Sequence, residues 1–475
     1  MFTKSHLIVL ISCIACGFGY AQNAANVFIP ITLKQNAFAY TSGNMHQPLI
    51  SIKIWESKIA YFKQQYFQPW NKKNKNTVFC YVPGVNKTCK PVKIIEQQTL
   101  AYYHNKVGYN KFYLKHNKTW LTPIKANMNM ASFPNISCTK GACRAIIVKN
   151  AEVRSLPTSN AFYQSFTKAG QGYPFDSLQL SDLWLGMPVQ ILQVSKDKKW
   201  ILVKGQGVMG WIPTNTVAKM HSNTINVWKS SLFIIPTVRN QLVKLSKNKL
   251  VDLRIGSLLP RADHHQIAVP VKQADGYATL VTSKPNGLAV TNWPLKPNKL
   301  NFARQINMLL GMPYGWGGMD FHSDCSSLMR RLFLSFGIWL PRNSYSQANY
   351  AGVKHSLATD NTAKRKSIVS NKAVPFLTLV SYGGTTNTTY HISLFIGFTK
   401  YDHHKVALIF QAPWGAPITG SGGITGRAII GQSVITPIGM GRFINQALVN
   451  QKLKLLSLWN TTGFNLTFLN TQTNS

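Results

Sequence analysis

Cys325 is the residue of this sequence whose type and position best suit nucleophilic chemistry. The other six cysteines fall into close pairs, at positions 13 and 16, 80 and 89, and 138 and 143. Cys325 instead stands alone, between a glycine-rich turn and the helically spaced apolar residues Leu328, Leu332 and Phe333. The positive end of a helix dipole lowers the pKa of a thiol, and the thiolate is the reactive form. The pattern predicts a reactive cysteine in the first turn of a helix, with a buried structural cysteine as the alternative.

A nucleophilic cysteine needs a base and a group that orients the base, and two later segments offer them. His391 begins the alternating run His-Ile-Ser-Leu-Phe-Ile, which is typical of a strand that would hold the imidazole rigidly. Gln411 ends the next alternating run, Val-Ala-Leu-Ile-Phe-Gln. If these strands are neighbours, the Gln411 amide can bond the far imidazole nitrogen and fix its tautomer. We therefore predict a catalytic set of Cys325, His391 and Gln411.

Several short motifs follow one another around these three residues. They are Tyr314-Gly-Trp-Gly-Gly, Asp324-Cys-Ser-Ser, Trp339-Leu-Pro-Arg-Asn-Ser344, Tyr390-His391 and Gln411-Ala-Pro-Trp-Gly415. Their types and order resemble the NlpC family of papain-like cell-wall cysteine peptidases, over residues 298–445. Family members mostly carry histidine, asparagine, glutamine or an acid at the third catalytic position, so Gln411 is compatible with the resemblance.

The resemblance implies a reaction as well as a fold. It implies a cysteine endopeptidase that cleaves the bond between γ-D-glutamate and a diamino acid, usually meso-diaminopimelate, in peptidoglycan stem peptides. The Cys325 backbone N–H and the Tyr314 hydroxyl are then expected to bind the oxyanion. By motif position, Asp324, Ser326 and Ser344 are expected to line the substrate site. No cofactor and no metal are expected.

Asp176 is a further candidate, in the segment Tyr173-Pro-Phe-Asp176. In relatives whose first SH3-like barrel narrows the substrate cleft, an acidic residue of that barrel can bind the free amine of an N-terminal L-alanine. The resemblance therefore implies that the substrate needs this free amine. The alternative is a turn aspartate that caps the local chain.

Two other functions are compatible with the same features. One is a non-catalytic cell-wall-binding protein that uses the SH3-like domains which residues 144–220 and 221–297 resemble, although such a protein has no need of a complete Cys–His–Gln set. The other is an amidase or acyltransferase on the same fold, which shares the set and is not separated from a peptidase by motifs.

The charge balance is extreme, with 52 Lys and Arg against 13 Asp and Glu, a formal net charge of +39. Nucleic acid is a common partner of such proteins, but the lysines are dispersed and no arginine-rich arm or aromatic RNA-binding motif accompanies them. A secreted basic protein would concentrate near an anionic cell envelope, through an attraction that salt weakens. The expected partners are therefore peptidoglycan stem peptides or muropeptides and the anionic envelope, not nucleic acid. The adjacent pairs His264–His265 and His403–His404 lack metal-type spacing to a carboxylate or cysteine.

The N-terminus predicts export to the periplasm or the medium. Lys4, an apolar run and Gly19-Tyr-Ala21 have the order of a signal peptide at residues 1–21, with no integral membrane segment left after cleavage. Lipid attachment at Cys16 is the less favoured alternative. Export makes disulfides among Cys80, Cys89, Cys138 and Cys143 likewise expected, either within the two close pairs or between them.

The chain is long enough for several domains, and the fold class expected is α+β. Residues 22–143 resemble the N-terminal stabilising region of one subgroup of the family. Residues 144–220 and 221–297 have short alternating strands and glycine turns and resemble two bacterial SH3-like barrels. The peptidase domain is expected at 298–445. The C-terminal extension, 446–475, is interpreted as a packing helix with a polar end.

Overall fold

The computed structural model describes residues 24–29, 31–71, 77–82, 85–136, 138, 141–246, 249–262, 266–283, 287–383, 391–401, 403–420, 425–440, 453–455 and 457–471. The predicted signal peptide, Cys16, His264, His265 and Tyr390 lie outside these ranges. Within them, no helix combines the length and the apolar character needed to cross a bilayer.

The N-terminal region is a set of short elements. Most of them pack on the first barrel, whereas the first strand pairs with the C-terminal domain and the first helix also contacts that domain. Their bounds are β1 (Ala24–Phe28), α1 (Ile52–Tyr66), β2 (Val78–Cys80), β3 (Cys89–Pro91), α2 (Val92–His104) and α3 (Leu121–Asn127). The Ser51 hydroxyl caps α1 by accepting the N–H of Ile54. Beyond the helix, the Trp70 indole is buried and donates to the Ala145 carbonyl at 2.7 Å. This region therefore shares its core with the barrel that follows.

Disulfides join Cys80 to Cys89 and Cys138 to Cys143. The pairing is local in both cases, and the cross-pairing that the sequence left open does not occur. Among the described residues, Cys325 is the cysteine outside a disulfide.

The first barrel is an antiparallel sheet with the strand order β10-β4-β7-β8-β9-β5-β6. Its strands are β4 (Arg144–Ile147), β5 (Ala151–Arg154), β6 (Gln179–Leu183), β7 (Pro188–Val194), β8 (Trp200–Gly205), β9 (Val208–Pro213) and β10 (Val217–Lys219). Strand β6 is the edge that faces the C-terminal domain, and it carries the barrel residues that reach the site described below.

The next unit has three small antiparallel sheets, pairing β11 with β14 and β17, β12 with β13, and β15 with β16. Its elements are α4 (Ser222–Ser230), β11 (Phe233–Pro236), β12 (Asn240–Ser246), β13 (Lys249–Arg254), β14 (Leu259–Pro260), β15 (Ile267–Lys272), β16 (Ala278–Ser283) and β17 (Val290–Trp293). Trp228 and Trp293 belong to the same apolar core as the first barrel. The short strands expected for residues 221–297 are present, together with α4, and the assignment of a second SH3-like barrel stays a prediction.

The C-terminal domain is built on a six-stranded antiparallel sheet with the order β18-β26-β19-β20-β21-β24. Its elements are α5 (Lys299–Leu309), α6 (Cys325–Leu334), α7 (Ser344–Tyr350), β18 (Val353–Ser356), α8 (Thr362–Lys372), β19 (Thr378–Tyr382), β20 (His391–Tyr401), β21 (His404–Gln411), β22 (Gly415–Gly420), β23 (Thr425–Ile429), β24 (Val434–Pro437), β25 (Leu453–Leu455) and β26 (Asn465–Phe468). Strand β20 is buried on both faces over residues 392–397. Ile392, Leu394 and Ile396 pack with the cores of α5 and α6, while Phe395 belongs to the core on the opposite face. The mixed helix and sheet fold is confirmed.

The interpretation of the C-terminal tail as a packing helix is wrong for its described residues. Strand β26 lies between β18 and β19 in the main sheet, and β25 joins β22 in a second sheet with β23 and β1. Leu466 is fully buried, because an inner strand needs apolar residues at alternate positions and has partners on both sides. The sheet thus extends beyond the boundary predicted at 445, and the domain limits stay predictions.

A buried acid at the joint between α2 and the first barrel predicts an unusual pH dependence. Glu96 is 3% exposed and accepts a hydrogen bond from the Trp211 indole at 3.0 Å. Burial raises its pKa from 4.5 to about 7, against the effect of that hydrogen bond. The folded protein therefore keeps this proton up to about pH 7, whereas the unfolded chain releases it above about pH 4.5. The stabilising contribution is present below pH 4.5 and is lost as the pH rises through 7.

We expect Glu96→Gln to remove this dependence while keeping an acceptor for Trp211. Relative to the variant, the wild type should lose up to ~3 kcal/mol of unfolding free energy between pH 5 and 8, since one pKa unit is about 1.4 kcal/mol. Urea unfolding at both pH values measures the difference, and Glu56→Gln, at an exposed glutamate of α1, is the control. Parallel pH profiles for wild type and Glu96→Gln would contradict the prediction.

Candidate active site

Cys325 is the first residue of α6, as the apolar spacing predicts. Asp324 is the N-cap, and its Oδ1 accepts the Ser327 N–H at 2.7 Å. The helix residues after Cys325 are all buried, whereas Cys325 itself is half-buried. The helix packs against β20 and so holds the thiol over the start of that strand.

The glycine-rich turn before α6 is shaped by contact with the barrel. Gly317 and Gly318 have φ values of 62° and 77°. A Cβ at Gly317 would lie 2.6 Å from the Gln179 carbonyl oxygen, and one at Gly318 would lie 2.7 Å from Cγ of Asp182. Both positions therefore need glycine, for backbone conformation and for space. The turn is held against β6, which fixes the entry into α6.

His391 is the first residue of β20 and pairs with Tyr382 at the end of β19. The two rings are 5.1 Å apart between centroids. The backbone N–H of the next residue, Ile392, hydrogen-bonds the Cys325 thiol and favours its ionisation. The structure thus brings the predicted nucleophile and base together at one end of the sheet.

Gln411 ends β21 beside His391, and its side chain acts on the imidazole as well as on two other residues. Oε1 accepts the Tyr382 hydroxyl at 2.8 Å, and Nε2 donates to Thr436 Oγ1 at 2.6 Å. His391 Nε2 is buried and has no hydrogen-bond partner in the described part of the chain. Tyr382 and Thr436 were not predicted from the sequence. The signal was present, since Tyr382, like His391 and Gln411, is a polar residue at the end of an apolar strand.

The pKa of Cys325 differs from the value expected from its place at a helix N-terminus alone, and the pKa of His391 is shifted as well. Burial raises the pKa of Cys325 to about 12, and the negative charge of Asp324 acts in the same direction. Burial also lowers the pKa of His391 to about 4, against the opposing effects of Gln411 and Asp324. The expectation of a lowered thiol pKa is therefore wrong for this site, because desolvation and the capping carboxylate outweigh the helix N-terminus. With these pKa values, Cys325 is a neutral thiol and His391 a neutral imidazole at neutral pH.

The pKa of Tyr314 is affected by the same neighbouring groups, Asp324 and Cys325. Burial raises the pKa of its hydroxyl well above the ordinary value, and the neighbouring Cys325 and Asp324 act in the same direction. The hydroxyl is consequently a hydrogen-bond donor at every physiological pH. Its position is compatible with the predicted oxyanion role, which stays a prediction.

Asp324 and Ser326 are engaged in a buried network around Arg342. The guanidinium donates to Asp324 Oδ2 at 2.7 Å and to Ser326 Oγ at 2.9 Å, and its Nε donates to Ser181 of the barrel at 2.7 Å. Burial opposes the ionisation of Asp324, but Arg342 and the surrounding donors leave its pKa below the ordinary value. These contacts favour a role in positioning α6 over direct contact with substrate. Ser344 begins α7 and is half-buried.

A second buried ion pair connects the barrel to α6. Asp182 of β6 and Arg331 of α6 form a salt bridge, with side chains 0% and 2% exposed. Arg331 also donates to the carbonyls of Phe321 and His322, behind the glycine-rich turn. Nearby, the Phe175 ring of the barrel packs on Trp414 at 5.0 Å and on Tyr314 at 5.6 Å. The barrel is therefore a structural part of the site.

Asp176 is not free to meet a substrate amine in this structure. It is 2% exposed, and its Oδ2 is 2.7 Å from Nη1 of Arg154. Oδ1 accepts the backbone N–H groups of Phe162 and Leu178. The geometry favours the alternative of a structural turn aspartate. In the described residues no group of three His, Cys, Asp or Glu side chains could hold a metal ion.

Comparison with known proteins agrees with this arrangement. The model of the NlpC/P60 family matches residues 311–412, and that of an SH3 domain of the SH3b1 type matches residues 161–213. The structure of an NlpC/P60 endopeptidase from Photobacterium damselae subsp. piscicida is 44% identical, with a TM-score of 0.91, and the match covers 95% of this chain and 100% of that one.

Two more distant structures are an NlpC/P60 family protein from Bacillus cereus ATCC 10987 and NlpC2 from Trichomonas vaginalis. The first is 16% identical, with a TM-score of 0.43 and coverage of 68% of this chain and 98% of that one. The second is 11% identical, with a TM-score of 0.23 and coverage of 62% and 96%. No curated protein gave a significant match. The 44% identity over the whole of the Photobacterium chain shows that this protein belongs to the NlpC/P60 family.

Proposed function

We propose that this protein is an exported cysteine endopeptidase that hydrolyses peptidoglycan stem peptides. The observation that carries the proposal is the placement of Cys325, at the start of a buried helix, against the first residues of β20, where His391 lies. A buried structural cysteine would need neither a histidine nor a strand N–H at its sulfur. Membership of the NlpC/P60 family supports the same chemistry.

The reaction can be written with the residues present. Cys325 Sγ attacks the scissile carbonyl carbon while its proton passes to the His391 imidazole. The tetrahedral oxyanion accepts hydrogen bonds from the Cys325 backbone N–H and the Tyr314 hydroxyl. Collapse breaks the C–N bond, and the leaving amine takes the proton from the imidazolium. Water, deprotonated by His391, then hydrolyses the thioester and restores the thiol.

The proposed bond is that between γ-D-glutamate and a diamino acid, usually meso-diaminopimelate. Stem peptides carry several carboxylates, and the net charge of +39 attracts such substrates and the anionic envelope that holds them. The proposed location is the periplasm or the medium. The disulfides are compatible with an oxidising compartment.

Purified muropeptides test the proposal directly. We expect mass spectrometry to find two products, one that ends in γ-D-glutamate and one that begins with the diamino acid. Cleavage between muramic acid and L-alanine would indicate an amidase, and transfer of an acyl group to an added amine would indicate an acyltransferase. Binding to cell walls without any product would support the non-catalytic alternative.

The requirement for a free N-terminal L-alanine is proposed separately from the role of Asp176. We expect faster cleavage of L-Ala-γ-D-Glu-diaminopimelate than of the same stem attached to muramic acid. We also expect Asp176→Asn to keep this preference, because the carboxylate is occupied by Arg154 and two backbone N–H groups. The variant should instead lose about 1–3 kcal/mol of stability through weaker hydrogen bonds.

The two readouts are the ratio of kcat/KM for the two substrates and the unfolding free energy. Equal rates of the wild type on both substrates would remove the free-amine requirement. A stable Asp176→Asn enzyme that no longer distinguishes them would restore Asp176 as the amine-binding residue.

A further inference from the structure

The N-terminal region carries an exposed apolar tip that the proposed catalysis does not use. Phe112, Tyr113 and Leu114 are consecutive and are 68%, 63% and 64% exposed. They form the turn of a hairpin in which Tyr109 bridges Lys115. Isolated exposed apolar residues are ordinary on protein surfaces, but three bulky ones in succession at the end of a hairpin form a patch.

The hairpin is held in a defined shape. The Asn110 side chain accepts the N–H groups of Phe112 and Leu114 at 2.9 and 3.2 Å. At its base, Tyr109 exchanges both backbone hydrogen bonds with Tyr163 of the first barrel, at 2.8 and 2.9 Å. A Cβ at Gly108 would lie 2.3 Å from the Phe162 ring, so the hairpin packs tightly on the barrel. The apolar tip is thus presented by a rigid support and is not a loose loop.

Lysines precede and follow the apolar tip in the sequence. The exposed ones are Lys106, Lys111, Lys115 and Lys118. No acidic residue occurs between positions 105 and 120. A bulky apolar tip with aromatic side chains and neighbouring lysines suits the interface of a lipid bilayer. There, apolar groups enter the acyl boundary and ammonium groups contact anionic headgroups.

We propose that this hairpin docks the protein on a bilayer surface that contains anionic phospholipids. The tip enters the interface, and the four lysines contact the headgroup phosphates. The exposed apolar side chains suit the interface of a bilayer, and the lysines around them select an anionic surface. The interaction would hold the enzyme at the membrane side of the cell wall.

Sedimentation with lipid vesicles tests the proposal. We expect the purified protein to bind vesicles of phosphatidylcholine mixed with phosphatidylglycerol, and to bind phosphatidylcholine alone much more weakly, at about 0.15 M salt. Phe112→Ser combined with Leu114→Ser should lower the partition coefficient on the mixed vesicles about tenfold or more, since two bulky apolar side chains no longer enter the interface. Lys111→Gln with Lys115→Gln should weaken binding to the mixed vesicles only.

The matched control is Leu242→Ser with Leu250→Ser, at two exposed leucines of the β12–β13 hairpin that are 61% and 57% exposed. This control should bind as the wild type does. Vesicle binding that is equal in the wild type and the tip variant would overturn the proposal and leave only general attraction by the net charge. Absence of wild-type binding to the mixed vesicles would overturn it too. Hydrolysis of soluble stem peptides should be unchanged in the tip variant, so this test and that of the catalytic proposal fail independently.

Discussion

Replacing Cys325 with alanine is expected to reduce stem-peptide hydrolysis to the uncatalysed level while leaving the fold intact. The change removes the atom that forms the thioester, and no other described cysteine is free to replace it. The side chain is half-buried at the first position of α6, and the helix cap is supplied by Asp324. Alanine is therefore compatible with the local structure. Product analysis by mass spectrometry, with circular dichroism as the test of folding, gives the result.

His391→Ala should be nearly as damaging, because the thiol of Cys325 then has no base to take its proton.

Gln411→Ala should lower kcat/KM roughly two- to tenfold. A neutral hydrogen bond contributes about 0.5–1.5 kcal/mol, and ~1.4 kcal/mol corresponds to a factor of ten. The Gln411 amide also hydrogen-bonds Tyr382 and Thr436, and it is not itself one of the reacting groups. The predicted order of damage is therefore Cys325, then His391, then Gln411. A folded Cys325→Ala protein that still cleaves stem peptides would overturn the catalytic proposal.

Asp182→Ala is expected to be the most destabilising of the single changes considered, by about 3–5 kcal/mol, because it leaves a buried cation without its partner. The carboxylate is fully buried, forms the salt bridge with Arg331 and accepts the Trp184 indole N–H at 3.0 Å. The loss should appear in urea unfolding at neutral pH as a lower transition midpoint. Because Arg331 supports the turn before α6, activity should fall at temperatures where the protein is still folded.

Two controls separate a broken buried pair from general sensitivity. Asp182→Leu combined with Arg331→Met removes both charges and should recover much of the loss, since apolar replacements of buried pairs are often neutral or stabilising. Lys364→Ala removes the exposed partner of Asp360 and should change stability by less than about 1 kcal/mol. A loss as large at Lys364 as at Asp182 would contradict the argument from burial.

The sequence by itself predicted a nucleophile and a base, and it correctly predicted the elements that carry them. Cys325 begins a helix, His391 begins a strand and Gln411 ends one, because each assignment depends on the local period of apolar residues over one element. Local patterns do not give the partners of an inner strand, so the expectation of a helix in the C-terminal tail is wrong for its described residues. Strand β26 obtains its place from β18 and β19, which lie far from it in the sequence.

The tertiary structure alone decided what the polar side chains of the site do. Arg342 bonds Ser181 across 161 positions of sequence, and Arg331 bonds Asp182 across 149. These pairs exist because the barrel packs its edge strand against the turn before α6, an arrangement that no local period encodes. Burial in the folded protein likewise raises the pKa of Cys325 and lowers that of His391, which no local period encodes. A motif determines which residue types occur at a site, whereas their burial and their partners depend on tertiary packing.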